Sequence, residues 1–277
     1  MAAGADFKAN LARRVATALV VLPVVLAALL LGPPLLGAAV VLALLLLGLW
    51  EFFGLLEARG LVPYRVTGVA LTLAIFVEVV TRLDWVGPPL WPMVALVSLT
   101  ALLLRVGEFT ATVPAAALTL LGATYLGALG GTLAGLRVLD PVALAPWRIV
   151  LLLAIIMVSD TAAFFVGSAI GRRKLAPGIS PGKSVEGAAG GLVGGIAGAL
   201  AVWAAGLPGV PAWHAGVLGF VVAILGILGD LLESLLKRWA GVKDSGRLFP
   251  GHGGMLDRLD SLLFGAPILY YYFASVR

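Results

Sequence analysis

Ten charged residues fall between Gly229 and Ser261: Asp230, Glu233, Asp244, Asp257 and Asp260 against Lys237, Arg238, Lys243, Arg247 and Arg258. Carboxylates suit hard cations such as Mg2+, which completes its shell with water and phosphate oxygens. Lysine and arginine supply cationic donors for phosphate, arginine as a planar fork. On a helix, positions 230, 234, 237 and 241 form one stripe. Asp230, Ser234 and Lys237 therefore share a face, Glu233 and Arg238 flank it, and Gly241 stands where the helix ends. Asp257 and Asp260 open a second helix with Arg258 between them. Acids there also serve as caps and dipole partners, and Lys237 and Arg238 alone read equally well as a helix end whose charges reach water. Two acids beside a glycine-rich loop favour a metal site instead. Asp230 and Asp257, brought together from two helices, would form it, and Asp260, one turn deeper, would join.

The segment between these helices runs Lys243-Asp244-Ser245-Gly246-Arg247-Leu248-Phe249-Pro250-Gly251-His252-Gly253-Gly254. Glycines allow close backbone approach to phosphate oxygens, so Lys243, Asp244, Gly253 and Gly254 belong to a candidate substrate loop. His252 is a donor to phosphate or to a neighbouring carboxylate. The other histidine, His214, lies in a predicted outer loop, which argues against zinc. A second cluster follows Ser159-Asp160-Thr161: Gly171-Arg172-Arg173-Lys174, then Ile179-Ser180-Pro181-Gly182-Lys183-Ser184-Val185-Glu186-Gly187. Gly182-Lys183-Ser184 resembles the end of a phosphate-binding P-loop, but the glycine required five residues earlier is Pro177. What remains is Lys183 with the Ser180 and Ser184 hydroxyls in a constrained loop, still suited to phosphate. Asp160 reads as a polar group bonded within the bundle. Glu51 and Glu78 line the bundle interior or an interface and receive no chemical role.

The elements that must hold these groups are set by composition. Of 277 residues, 61% are hydrophobic and 12% charged, about half the share of a soluble domain. The mean hydropathy is +1.09. This excludes a soluble globular enzyme and a disordered chain, and the absence of cysteine excludes a disulfide scaffold. The net charge of +5 matches cationic loops beside an anionic membrane face, and no nucleic-acid motif accompanies it. A spanning helix needs about 20 apolar residues. Val15 to Trp50 carries no charge and is split by Gly32-Pro33-Pro34 into two helices. The next spans are Val66–Thr81, Trp85–Leu104, Phe109–Leu136, Ile149–Gly171, Gly187–Leu207, Trp213–Leu232 and Leu259–Val276. The expected fold is an all-α integral membrane protein, a polytopic bundle of about nine transmembrane helices. Residues 1–136 form the scaffold and 137–277 carry the site. With the N-terminus in the cytoplasm, 15 of the 19 lysines and arginines face inward, as the positive-inside rule requires. Arg82, Arg137, Arg148 and Arg277 face outward, and Tyr270-Tyr271-Tyr272-Phe273 forms an aromatic belt or packs on a neighbour.

These features describe a metal-assisted phosphoryl or nucleotidyl transferase embedded in the membrane. Rival readings are a nucleotide-dependent lipid kinase or a synthase using a different lipid, a transporter, whose charges spread along one path, and a structural membrane protein. Ser234-Leu235-Leu236-Lys237-Arg238, Lys243-Asp244-Ser245-Gly246 and Pro250-Gly251-His252-Gly253-Gly254-Met255-Leu256-Asp257-Arg258-Leu259-Asp260 closely resemble the signature of the phosphatidate cytidylyltransferase family. The segment from Ser159 to Gly187 is similar to that family too. It departs from the usual pattern at Phe164, where tyrosine is common, at Ser184, where threonine is common, and at Gly182, where a polar or basic residue is usual. The resemblance implies conversion of CTP and phosphatidic acid to CDP-diacylglycerol and pyrophosphate. It implies Mg2+ on Asp230 and Asp257, K+ as a second cation, a homodimer and a bacterial inner membrane with the site on the cytoplasmic side. Lys237 and Arg258 then act on the phosphates beside the metal. Ser180, Lys183, Ser234, Arg238, Lys243, Asp244, His252, Gly253 and Gly254 line the substrates.

Overall fold

The computed structural model describes residues 23–82, 87–104, 108–246 and 253–276. Arg247 and His252 of the candidate site lie outside them, as do Lys8, Arg13, Arg14, Arg105 and Arg277. The described chain is almost wholly helical, as the hydropathy predicts. Residues 23–30 are helical and the chain breaks at Gly32-Pro33. Helix α1 (Pro34–Ala58) starts with proline at its first position, where no backbone N–H is needed. Helices α2 (Arg65–Thr81), α3 (Gly87–Leu104) and α4 (Phe109–Thr124) follow. A five-residue π turn, Tyr125–Leu129, joins α4 to α5 (Gly130–Val138) inside what the sequence presents as one span. Then come α6 (Ala145–Ile170), strands β1 (Lys174–Ala176) and β2 (Ser180–Ser184), α7 (Val185–Ala204), α8 (Ala212–Ala240) and α9 (Leu256–Ser275). Among the described residues five stretches are long and apolar enough to cross a bilayer: Pro34–Ala58, Thr110–Val138, Val142–Ile170, Val185–Ala204 and Ala212–Ala240. Large apolar side chains such as Leu35, Leu103, Leu104 and Trp213 point outward, as a lipid-facing surface requires. The protein is an all-α integral membrane protein with one small hairpin.

The chain forms two compact units, residues 1–131 with 239–258, and residues 132–238 with 259–277. The segment 239–258 belongs to the first unit although it is distant from it in sequence. In that unit Leu71, Ile75, Leu90, Val94 and Ala123 form an apolar core. Leu45, Leu49, Phe52 and Phe53 of α1 are buried as well. Helix backbones approach closely there. A methyl group at Gly122 would enter the ring of Phe52, and one at Gly130 would enter Leu45. Lipid tails offer no hydrophobic incentive for helices to associate, so close van der Waals approach through small residues does that work.

The second unit repeats this solution more densely. Gly187, Gly191, Gly194 and Gly198 recur at helical spacing on α7 and meet Ala163, Ser159, Ala162 and Ala154 of α6. The α6 and α7 helices run antiparallel because the hairpin turns the chain between them. Pro177-Gly178 forms its turn, closed by Ile179 N–H donating to Ala176 O at 3.1 Å. Glu186 accepts from the Arg172 and Arg173 amides at 3.0 and 3.1 Å and so ties the end of α6 to the start of α7.

Arg148 departs from expectation. The charge count places it on an outer loop, yet it is 1% exposed. Its Nη1 donates to Leu139 O at 2.5 Å, and Nη2 donates to Asp140 O and Pro141 O at 3.1 and 3.2 Å. One guanidinium thus satisfies three carbonyls just past the C-terminus of α5, where a cation is also favoured by the dipole. Arg137 is buried too. The tyrosine run packs inward in part: Tyr270 and Phe273 are buried and Tyr271 is exposed. Tyr272 lies 2.6 Å from Nδ1 of His214, which sits in the first turn of α8. Arg148→Ala should lower stability by about 1–3 kcal/mol by stranding the buried Leu139 carbonyl, read as a drop in thermal midpoint in detergent. Arg148→Lys should recover part of it, having a charge but no fork.

Candidate functional site

The second unit brings together one set of sequence-predicted residues. Helix α8 ends at Ala240, and Gly241 follows at φ +75°, the left-handed residue that terminates helices. On the predicted stripe, Ser234 Oγ donates to Asp230 Oδ1 at 3.4 Å. Lys183 on β2 reaches across and pairs with Asp230 Oδ2 at 2.5 Å. Arg238 Nε donates to Ile179 O at 3.4 Å at the foot of the hairpin. The hairpin is therefore what aims Lys183 at α8. Sequence reading saw only a constrained loop there. Ser184 does not line the phosphate region in this arrangement. It is buried and caps α7, accepting from Gly187 N–H at 3.1 Å. Ser180 lies at the start of β2, partly buried.

Helices α8 and α9 cross closely beside this pair. A side chain at Gly229 would strike the backbone of Asp260, and Ser261 Oγ donates to Gly226 O at 3.1 Å. Asp260 is 9% exposed, accepts from Ser261 N–H at 2.6 Å and is in hydrogen-bond contact with Glu233. Glu233 is 2% exposed and pairs with Lys237 at 3.4 Å. Asp160 of α6 lies within electrostatic reach of Asp230, Asp260 and Lys183. One neighbourhood thus holds the carboxylates Asp160, Asp230, Glu233 and Asp260 with the cations Lys183 and Lys237. Asp160 and Glu233 had no assigned chemistry in the sequence. Their signal was charge inside an apolar run, which marks a functional candidate by default.

The first unit holds the other set. Asp257, in the first turn of α9, has one oxygen, Oδ2, that accepts three hydrogen bonds. They come from Ser245 N at 3.1 Å, Ser245 Oγ at 2.8 Å and Gly254 N at 2.7 Å. Gly253 sits at φ +80°, and a methyl group on it would stand 2.7 Å from the same oxygen. Ser245 and Gly254 therefore hold one carboxylate oxygen between them. Lys243, Asp244 and Arg258 are exposed. The residue that sequence reading missed is Glu51 of α1. Its Oε2 accepts from Ser245 Oγ at 3.1 Å and from Leu256 N–H at 2.9 Å. Its charge beside an apolar run is a signal of the same kind, but its partners lie 194 and 205 positions away and cannot be read from the sequence.

Among the described residues no group of three or more His, Cys, Asp or Glu is placed to hold a metal by itself. Mg2+ commonly binds through one or two carboxylates plus substrate phosphates. The oxygen donors present are of the hard type it prefers.

The sequence profile of the cytidylyltransferase family matches residues 12–276. The chain belongs to that family. It is 33% identical over 297 aligned positions to the phosphatidate cytidylyltransferase of Synechocystis, covering 94% of this chain and 95% of the relative. The enzyme of the same name from Bacillus subtilis is 45% identical over 121 positions, 43% of this chain and 45% of the relative. That of Brucella suis is 45% identical over 125 positions, 45% of this chain and 46% of the relative.

Gly253→Ala should disturb the site through Asp257. It forces a side chain into left-handed backbone, at a cost of about 1–2 kcal/mol, and pushes on Oδ2. The catalytic rate of the folded protein should fall at least about tenfold, since small misplacements of reacting groups cost that much or more. Gly178→Ala, which has open space around it, should leave the rate unchanged in the same assay.

Proposed function

We propose that this protein is a phosphatidate cytidylyltransferase, joining CTP and phosphatidic acid to give CDP-diacylglycerol and pyrophosphate. The observation that carries this reading is the end-to-end similarity to a relative of that name, together with acids and bases gathered at the ends of α8 and α9 in an otherwise apolar chain. The protein sits in the bacterial inner membrane with about nine spans, its N-terminus and site cytoplasmic, and works as a homodimer. The lysine and arginine bias between loops supports that orientation.

The chemistry asks little covalent work of the chain. The lipid phosphate is already anionic near neutral pH and needs no general base. It attacks the α-phosphorus of CTP in line, a new P–O bond forms, and the bond to the β-phosphate bridging oxygen breaks with pyrophosphate leaving. Rate comes from positioning and from charges aimed at the phosphates. Asp230 and Asp257 are the carboxylates we assign to Mg2+, with Asp260 joining them and K+ as a second cation. The bound metal supplies charge neutralisation at the CTP phosphate oxygens. Lys183, paired with Asp230 in the structure, exchanges that partner for a phosphate oxygen when substrate arrives. Lys237, Arg238, Lys243 and Arg258 neutralise pyrophosphate or lipid phosphate, and the Gly253-Gly254 backbone gives room for close approach.

The test is turnover by purified protein in detergent micelles containing phosphatidic acid. Wild type should release pyrophosphate and form a cytidine-bearing lipid. Asp230→Asn and Asp257→Asn should each fall by about 10³-fold or more while eluting as the wild type, as expected for loss of a metal-binding carboxylate. Substantial activity in both would remove the assignment of these acids. Release of CDP in place of pyrophosphate would identify a lipid kinase.

A further inference from the structure

Glu51 is a carboxylate in the middle of the apolar helix α1, one residue from buried Phe52 and Phe53 and flanked by buried Leu49, Leu55 and Leu56. It is 9% exposed. Removing a carboxylate from water is expensive unless hydrogen bonds replace the solvent, so a residue that merely filled this helix face would be Leu. Glu51 instead spends one oxygen on two donors from a distant segment, the Ser245 hydroxyl and the Leu256 amide. Leu256 is the first residue of α9, and its N–H is one of the amides that no helical carbonyl can satisfy. Glu51 therefore caps α9 from another helix, at the end where the dipole favours an anion.

Two further features show that the loop is shaped around this carboxylate. A side chain at Gly246 or at Gly254 would run directly into Glu51. Gly254 N–H and the N–H of Ser245, the neighbour of Gly246, donate to Asp257 Oδ2. The Ser245 hydroxyl lies within hydrogen-bond distance of both carboxylates, and its single hydrogen serves one at a time. The set Glu51, Ser245, Gly254, Leu256 and Asp257 is one hydrogen-bonded clamp, and it borders an open cavity of about 340 Å³ that Glu51 and Ser245 help to line.

We infer that Glu51 is a positioning residue for the transfer reaction: through Ser245 and the α9 N-terminus it fixes where Asp257 stands. It acts by accepting hydrogen bonds and touches no substrate. The inference rests on the proposed cytidylyltransferase reading for its kinetic arm only. Its second arm, hydrogen–deuterium exchange of peptides spanning 245–257, needs no activity at all.

The experiment compares Glu51→Ala, Glu51→Gln and Glu51→Asp with wild type in detergent, each checked for an unchanged elution profile. In Glu51→Ala, kcat per folded molecule should fall about 100-fold while KM for CTP moves less than about threefold, the pattern of misplaced reacting groups. Glu51→Gln keeps an acceptor oxygen and should stay within about tenfold of wild type. Peptides covering 245–257 should exchange faster in Glu51→Ala and at the wild-type rate in Glu51→Gln. Combining Glu51→Ala with Ser245→Ala should add little to the worse single loss, because both break one clamp. If Glu51→Ala does not yield folded protein, Glu51→Asp, with its oxygens drawn back by one methylene, must show the kcat loss and the faster exchange. Wild-type kcat in Glu51→Ala or Glu51→Asp, unchanged exchange, or losses that multiply in the double variant would each overturn the inference. A wild type that makes no cytidine lipid but whose Glu51→Ala variant exchanges faster would overturn the functional reading and leave the clamp standing.

Discussion

A single carboxylate oxygen, Asp257 Oδ2, organises the glycine-rich segment of this protein. Three donors converge on it, two of them the backbone amides of Ser245 and Gly254, which lie on either side of residues 247–252 in the sequence. Each donor would be costly to leave unsatisfied at a partly buried site. The same bonds that compensate the amides fold the segment around the acid. The need for glycine at 253 follows, because that backbone is left-handed and lies against the same oxygen. Residues 239–258 join the first unit for a related reason. Their hydroxyl and amide donors find acceptors on α1, and Arg59 of the α1 terminus lies over the Trp239 ring at 5.6 Å.

The membrane sets the second constraint. Apolar helices in lipid gain nothing from hiding apolar surface from lipid, so they associate by close approach and by polar contacts. The glycine ladder of α7 on α6 is the first device. Asp230 with Lys183, and Glu233 with Lys237 and Asp260, are the second. These polar groups do not cross the bundle as a pathway would. They gather at the charged end of α8, near the hairpin, which suits a site that grips a soluble polyphosphate and reacts it with a lipid.

Much of this was legible in the sequence because hydropathy and helix punctuation are local. The helix boundaries follow the apolar runs, the break at Gly32-Pro33 is present, and Gly241 terminates α8 where its stripe predicts. The stripe Asp230, Ser234, Lys237 was readable from spacing alone. The hairpin was not, since β1 and β2 are short and lack strand alternation, and their pairing depends on a Pro-Gly turn between two helices. Arg148 was counted with the loop charges because sequence does not reveal that three carbonyls fold back over it. Glu51 was illegible for the deepest reason. A buried acid in an apolar helix has meaning only through what it meets, and its partners come from the far end of the chain.

The central claim is that these charged groups transfer a cytidylyl unit to a membrane lipid. It is tested most directly by the fate of phosphorus. Purified protein is given phosphatidic acid, Mg2+ and CTP labelled either at the α-phosphorus or at the γ-phosphorus. The account predicts that α-label enters the lipid and γ-label leaves as pyrophosphate. Lipid labelled from the γ-position, or no labelled lipid from a folded protein, would contradict it.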